Sequence, residues 1–170
     1  MANLHKSWKG VNADQLMTAA LGRPVSTVND ADAAGYAEVA YGAARNQVGT
    51  VIVTTLGTGI GSALIVDGVL VPNTELGHLE IDGHDAESRA SSAAKEREGL
   101  TYGKWAKRLT RYYSVVEMLF SPDLFVVGGG VSKDHEKFVP LLKTRAPIVP
   151  AALRNQAGIV GAAALADRDF

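Results

Sequence analysis

The sequence predicts an α/β or mixed α/β fold on three observations. Thr50–Leu56 is an unbroken apolar, β-branched run that leads through a glycine cluster into a second such run. Asp67-Gly68 between apolar runs marks a hairpin. Downstream, a long helix-periodic segment gives way to a short apolar strand, three consecutive glycines and another helical stretch.

Taken in order, residues 3–10 show no turn or cap pattern, and Trp8 has no evident partner there. A short helix opens at Asn12 or Ala13, with Leu16, Met17, Ala20 and Leu21 as its apolar face; Gly22 stops it and Pro24 prevents its resumption. Residues 24–28 read as a strand running into Asn29-Asp30, and 31–44 as an Ala-rich helix ending near Gly42. Thr50–Leu56, 62–66 and Val69–Val71 read as strands, with Gly57-Thr58-Gly59-Ile60-Gly61 and Asp67-Gly68 as the turns between them. Residues 73–94, dense in acids, read as a loop. Tyr102–Phe120 carries Trp105, Leu109, Tyr112, Val116 and Leu119 at helical spacing, and Pro122 ends it. Residues 124–127 form a buried strand closed by Gly128-Gly129-Gly130; 133–144 read as a helix, 148–149 as a last strand and 158–166 as a small-residue helix.

Composition narrows the classes. An apolar fraction of 46% over 170 residues supports a folded core and excludes a disordered chain. The absence of cysteine removes disulfides, thiolate zinc sites and Cys nucleophiles. No apolar run reaches membrane-span length and no signal peptide is visible, so the cytoplasm is the expected location. Residues 1–88 hold 4 basic and 10 acidic side chains, whereas 89–170 hold 13 basic and 8 acidic. That asymmetry is either chance or a hydroxyl-binding region facing a phosphate-binding one.

The glycines between the first two strands lack the following helix of a dinucleotide fingerprint and the Lys-Ser/Thr of a P-loop. A turn with bare N–H groups remains, able to cradle an anion; a plain hairpin turn is the alternative, although three glycines and two threonines exceed its needs. Gly128, Gly129 and Gly130, before Ser132 and a helix, read either as a second anion site at a helix N-terminus or as a sharp turn. Asn29, Asp30 and Asp32 at a strand end and helix start are either helix-capping residues or a sugar site, Asp30 being able to take a hydroxyl proton. Glu75 and His78 around Gly77, with Glu87 behind, either decorate a solvated loop or converge on a polyol. A cation held by His78, His84 and nearby carboxylates is the rival, and no metal site is expected without cysteine.

These motifs together resemble the ROK sugar kinases, most closely their polyphosphate glucokinase branch. The matching pieces are VNDADAAGYAE, TVIVTTLGTGIGSALIVDG, ELGHLEIDGHDAESRASSAA, LFVVGGGVS and GIVGAAALA, spanning nearly the whole chain. The resemblance implies the actin-like ATPase (ribonuclease H-like) fold. It implies phosphoryl transfer from polyphosphate or ATP, with Mg2+, to the 6-hydroxyl of glucose or mannose. Asp30 would be the base; Asn29, Glu75, His78 and Glu87 would hold sugar hydroxyls; Gly57, Thr58 and Gly59 would form a phosphate loop, and Gly128, Gly129 and Gly130 the adenosine-side loop. The family's cysteine-rich zinc motif is replaced by a short cysteine-free stretch. The Asp-x-Gly-Gly-Thr loop that opens such kinases is absent from the sequence, so the chain is expected to be a fragment without the N-terminal third. Residues 1–30 would be the remnant of the small lobe and 31–170 the large lobe, with the missing segment needed for full activity. A sugar-sensing domain of a ROK-type regulator and a non-catalytic kinase fragment are the alternatives. A homodimer is expected, with no nucleic-acid or membrane partner. Lys104, Lys107, Arg108 and Arg111 fall on one face of the Tyr102–Phe120 helix, either a solvated face or a groove for a polyanion.

Overall fold

A computed structural model describes residues 5–166. The outermost residues of the two expected lobes, 1–4 and 167–170, and the start of the 3–10 stretch lie outside them. The centre is a five-stranded mixed sheet of β1 (Thr50–Leu56), β2 (Ile60–Val66), β3 (Val69–Val71), β6 (Leu124–Gly128) and β7 (Ile148–Pro150), in the order β3-β2-β1-β6-β7. β1 runs antiparallel to β2, with Thr50 opposite Val66 and Leu56 opposite Ile60. It runs parallel to β6, with Val51 opposite Leu124 and Thr55 opposite Gly128.

Strand alternation divides the core into two layers. Ile52, Leu56 and Phe125 face α5 (Tyr102–Phe120), where Trp105, Leu109, Tyr113 and Val116 meet them. Val51, Val53, Ala63, Ile65 and Val126 point to the opposite face. There α2 (Asp30–Tyr41) lies on the sheet and α6 (Ala157–Ala166) lies on α2. Both faces of β1 are covered, which is why its sequence is apolar without alternation. The alanine content of α2 follows from the same crowding: a Cβ at Gly35 would strike that of Ala63, and one at Gly161 would strike the Ala33 carbonyl oxygen. On α5, Tyr113 is buried whereas Leu119 is exposed, a one-residue rotation of the expected stripe.

Five expectations need correction. Residues 24–28 belong to no sheet. Thr18 Oγ1 and Asp14 Oδ1, both on α1 (Ala13–Leu21), accept from the Val25 and Thr27 amides at 3.0 and 2.8 Å, satisfying donors a ladder would have used. The expected apolar face of α1 is not buried: Leu16, Met17 and Leu21 are all exposed. The 73–94 loop is structured, with a 3-10 turn at Leu76–His78, a hairpin of β4 (Glu80–Ile81) and β5 (His84–Asp85), then α3 (Ala86–Ala90) and α4 (Ser92–Arg97), which starts just before 94. The 133–144 helix is two 3-10 stretches, Gly130–Lys137 and Val139–Leu141, broken at Phe138 beside Pro140, which has no N–H to continue a helix. The N-terminal region also contains a 3-10 turn, Lys6–Trp8, with the His5 ring accepting from the Ser7 amide.

Candidate active site

The start of α2 caps its helix with one polar residue and turns the next toward a cleft. Asn29 caps the helix, its side-chain oxygen accepting from the Ala31 and Asp32 amides at 2.8 and 3.2 Å. Asp30 Oδ1 also accepts from the Ala31 amide at 2.8 Å, yet Asp30 lines a cleft of about 190 Å3 together with Thr55, Gly128, Gly129, Arg154 and Asn155. Glu38 is the other carboxylate of that cleft, and its oxygens are committed to the backbone amides of Ala43, Ala152 and Leu153. Asp30 is therefore the carboxylate of the cleft left with reactive capacity.

Asp32, on the next turn position, is buried and accepts from the Asn73 amide at 2.7 Å through Oδ2. Its Oδ1 has no hydrogen-bond partner among the described residues. Burial pushes its carboxyl above the usual range; the Asn73 bond opposes this, and the charges of Glu75 and Asp30 reinforce it. The base of α2 and the 73–75 segment are thus joined by one carboxylate. Sequence reasoning weighed Asp32 as a cap or a sugar residue and passed over Glu38, although an acid inside an alanine run is itself a sign of a buried, partnered carboxylate.

The two glycine turns meet at the ends of β1 and β6. Gly57 and Gly59 close the β1–β2 bend through a 3.0 Å bond from the Gly57 amide to the Gly59 carbonyl. Gly61 lies in β2 instead of the turn, where a Cβ would come within 2.9 Å of Ala31 Cβ at the start of α2. Gly129, at φ +86°, packs its Cα against the Leu56 backbone so closely that any side chain would collide. Gly128 and Gly129 reach the Asp30 cleft directly; Gly57, Thr58 and Gly59 are not among its lining residues. The expected α-helix N-terminus after Gly130 is not formed, because a 3-10 turn begins there and Gly129 carbonyl takes the Ser132 amide.

Glu87 and the turn that carries His78 meet at the start of β2. Gly77 lets the Leu76–His78 turn lie against the Ile60 carbonyl, where a Cβ would clash. Glu87 Oε2 accepts from the Ile60 amide at 3.1 Å, and a Cβ at Gly59 would meet the same oxygen. Glu75 itself is exposed. His78 Nδ1 is 2.9 Å from Asp85 Oδ2 and 3.9 Å from Glu87 Oε1. The Asp85 hydrogen bond, with Glu87, Asp85 and Glu75 charges, raises the His78 pKa against the opposing effect of burial. Partial burial alone would raise Asp85, but the His78 bond and the Ser88 and Glu87 amides outweigh it and hold that carboxyl below the usual range. His78, Asp85 and Glu87 offer ligand atoms within 4.8 Å of one another, an arrangement that a cation could occupy.

The cationic stripe of α5 lies elsewhere, and half of it is paired. Arg111 makes a two-pronged contact with Asp82 at 3.0 and 2.7 Å. Arg108 reaches Glu98 at 2.6 Å and the Arg89 carbonyl at 3.0 Å. The Lys104 and Lys107 amines have no such partners among the described residues. Lys107, Arg108 and Arg111 border a groove of about 290 Å3 shared with His84 and Arg89; Lys104 does not.

Among the described residues no helix is long and apolar enough to cross a membrane. A polyphosphate glucokinase of Mycobacterium tuberculosis is 56% identical over 163 residues, covering 95% of this chain and 62% of that protein. The structure of an inorganic polyphosphate/ATP-glucomannokinase from Arthrobacter sp. strain KM superposes with a TM-score of 0.92 at 62% identity, over 96% of this chain and 65% of that one. A Streptomyces griseus ROK glucokinase, solved with glucose and AMPPNP, shares the fold at a TM-score of 0.74 and 24% identity, over 89% of this chain and 71% of that one. The chain therefore spans less than two thirds of the first two proteins. The ROK family model matches residues 1–98, from before the base of α2 through the glycine bend to Glu87 and α4, and on that match the chain belongs to the ROK family.

Proposed function

We propose that this chain carries the sugar site and the general base of a glucose kinase that uses polyphosphate or ATP. The observation that carries the reading is the shared cleft: Asp30 opens α2 in the same cavity as Gly128 and Gly129, so a carboxylate with reactive capacity faces a backbone stripped of side chains. The similarity to proteins named polyphosphate glucokinase and polyphosphate/ATP-glucomannokinase supports it, and makes mannose the second sugar of the reading.

In this reading Asp30 accepts the proton of the sugar 6-hydroxyl as that oxygen attacks the donor's terminal phosphorus. Asn29, Glu75, His78 and Glu87 hold the remaining hydroxyls. The bend at Gly57, Thr58 and Gly59, closed by the Gly57 amide, presents the Thr58 and Gly59 N–H groups to phosphate oxygens, and the turn at Gly128, Gly129 and Gly130 presents a backbone without side chains. Phosphoryl transfer asks mainly for positioning and charge neutralisation. Asp30 is the cleft carboxylate that would help hold a magnesium ion accompanying the donor, and such an ion would supply charge neutralisation. The division at residue 30 belongs to the same reading: α1 buries no side chain, whereas Ala31, Asp32 and Ala33 onward are buried. So do a homodimer, a cytoplasmic location and a contribution to full activity from a segment outside this chain. The α5 groove enters as a path for a long donor through Lys107 and Arg89, since Arg108 and Arg111 already hold acids.

A coupled assay of glucose phosphorylation with each donor tests the proposal. Asp30→Asn is expected to lower turnover by roughly 10²–10⁴-fold, the usual contribution of a general base, with glucose affinity little changed. Near-normal turnover in that variant would make Asp30 a helix-start residue and nothing more.

A further inference from the structure

We infer that Asp85 is a positioning residue of the sugar site, its carboxylate holding the His78 ring in the Nδ1–H form with one oxygen and seating Glu87 with the other. The inference rests on the reading of His78 and Glu87 as sugar ligands. Asp85 Oδ2 lies 2.9 Å from His78 Nδ1. Asp85 Oδ1 accepts from the Glu87 and Ser88 amides at 3.1 and 3.3 Å, capping α3. The Ser88 hydroxyl closes the same turn by donating to the Asp85 carbonyl at 2.6 Å. Two backbone amides thus fix the plane of the carboxylate, and its second oxygen is aimed by that plane at the imidazole.

The hydrogen bond on one ring nitrogen decides what the other can do. A neutral His78 that donates from Nδ1 to Asp85 keeps Nε2 as an acceptor for a sugar hydroxyl; a charged His78 turns Nε2 into a second donor. The groups facing the ring are Asp85 on β5, Glu87 on α3 and Glu75 on its own turn, all acidic. The side chain is about half exposed, at 49%, so packing alone does not fix its orientation. Glu87 extends the arrangement to the glycine bend, since its Oε2 accepts the Ile60 amide at 3.1 Å. One carboxylate that no periodicity or motif singles out therefore sets both the proton position on one sugar ligand and the place of another.

The test uses the whole chain, labelled with nitrogen-15, and two variants. Asp85→Asn keeps an oxygen for the α3 amides but turns its NH2 toward His78, forcing Nδ1 to accept and moving the proton to Nε2. Asp85→Ser keeps a helix cap and removes the His78 contact. The expected ring-nitrogen spectra show Nδ1–H in the unaltered protein, Nε2–H in Asp85→Asn, and a His78 pKa falling toward the ordinary 6.5 in both variants. Calorimetry with glucose is expected to show affinity about three- to tenfold weaker in both, the scale of one hydrogen bond, while the Asp85→Ser melting temperature stays near that of the parent. An unchanged tautomer and pKa overturn the inference, as does full glucose affinity after the tautomer has inverted. Glucose binding that a chelator abolishes in the unaltered chain would assign His78, Asp85 and Glu87 to a cation and overturn it as well. A parent chain that does not bind glucose refutes the sugar-site reading instead, and the nitrogen spectra then judge the Asp85–His78 pair separately.

Discussion

Glu38→Gln tests how the α2 side of the cleft is held together. Glu38 is 1% exposed, and its carboxylate accepts three backbone amides: Ala43 at 2.7 Å, Ala152 at 3.0 Å and Leu153 at 2.8 Å. The last two lead into Arg154 and Asn155 at the cleft wall. Glutamine has the same shape but one acceptor oxygen. Placed on Ala43 and Ala152, it turns its NH2 against the Leu153 amide, leaving a buried donor unpaired at a cost of about 1–3 kcal/mol. The two surviving bonds lose their charge assistance, costing about another 1 kcal/mol. Removing a buried charge works in the opposite direction, but three amide donors already replace the hydration of that carboxylate, so the loss prevails at about 3 kcal/mol in total. For a chain of this size each kcal/mol moves the melting midpoint by about 2–4 °C, giving a fall of roughly 6–12 °C. Differential scanning calorimetry at neutral pH measures it. A fall below about 2 °C would mean that the three amides find other acceptors and that Glu38 is not what anchors residues 152–153.

Asp32→Asn is expected to change the pH dependence of stability. Because the folded-state pKa of Asp32 is raised, its favourable contribution is complete below the ordinary carboxyl value of 3.8 and is lost as pH rises through the folded value. The variant cannot titrate, so its stability relative to the parent should climb as pH rises above the ordinary value of 3.8, read from urea midpoints; a constant difference would show that Asp32 is not desolvated. Gly161→Ala should lower stability by about 1–3 kcal/mol despite alanine's better helix propensity, because the new methyl meets the Ala33 backbone. An unchanged thermal midpoint would show that α6 can move off α2 freely. Lys107→Ala with Arg89→Ala should weaken polyphosphate more than ATP in donor-affinity measurements, with the difference shrinking as salt is added; equal losses would return the groove to a solvated face.

Much of this was legible from local patterns. β1, β3 and α5 begin and end where the residue spacing puts them, because a buried central strand and a long amphipathic helix state their environment over many residues. The 73–94 segment did not, since its elements are two to six residues long and are held by caps such as Asp85 and Ser91 instead of by periodicity. Asn29 shows that a cap does not exclude a neighbouring site: the oxygen that caps α2 sits on the residue next to Asp30, which lines the cleft. The α5 stripe was correct as a face, but helical spacing says nothing of Asp82 and Glu98, which arrive from other segments to pair with Arg111 and Arg108. Asp85 stayed hidden because one acid among many carries no signal until its two oxygens are seen to face different partners.

The central place of β1 has a consequence for how the molecule breathes. Its two neighbours cover both of its edges, while the outermost strands, β3 and β7, are each three residues long. Amide hydrogen exchange should therefore start at those short margins and at the exposed α1, and reach Val53, Thr54 and Thr55 only when the entire sheet opens. The Gly57–Gly59 bend hangs from the last segment to release its protons, and Gly129 packs against the Leu56 backbone at its end. Fluctuations that fray the periphery leave that end of the cleft standing, and added protection on ligand binding should appear in the 73–78 and 151–155 segments, not in the strand that carries them.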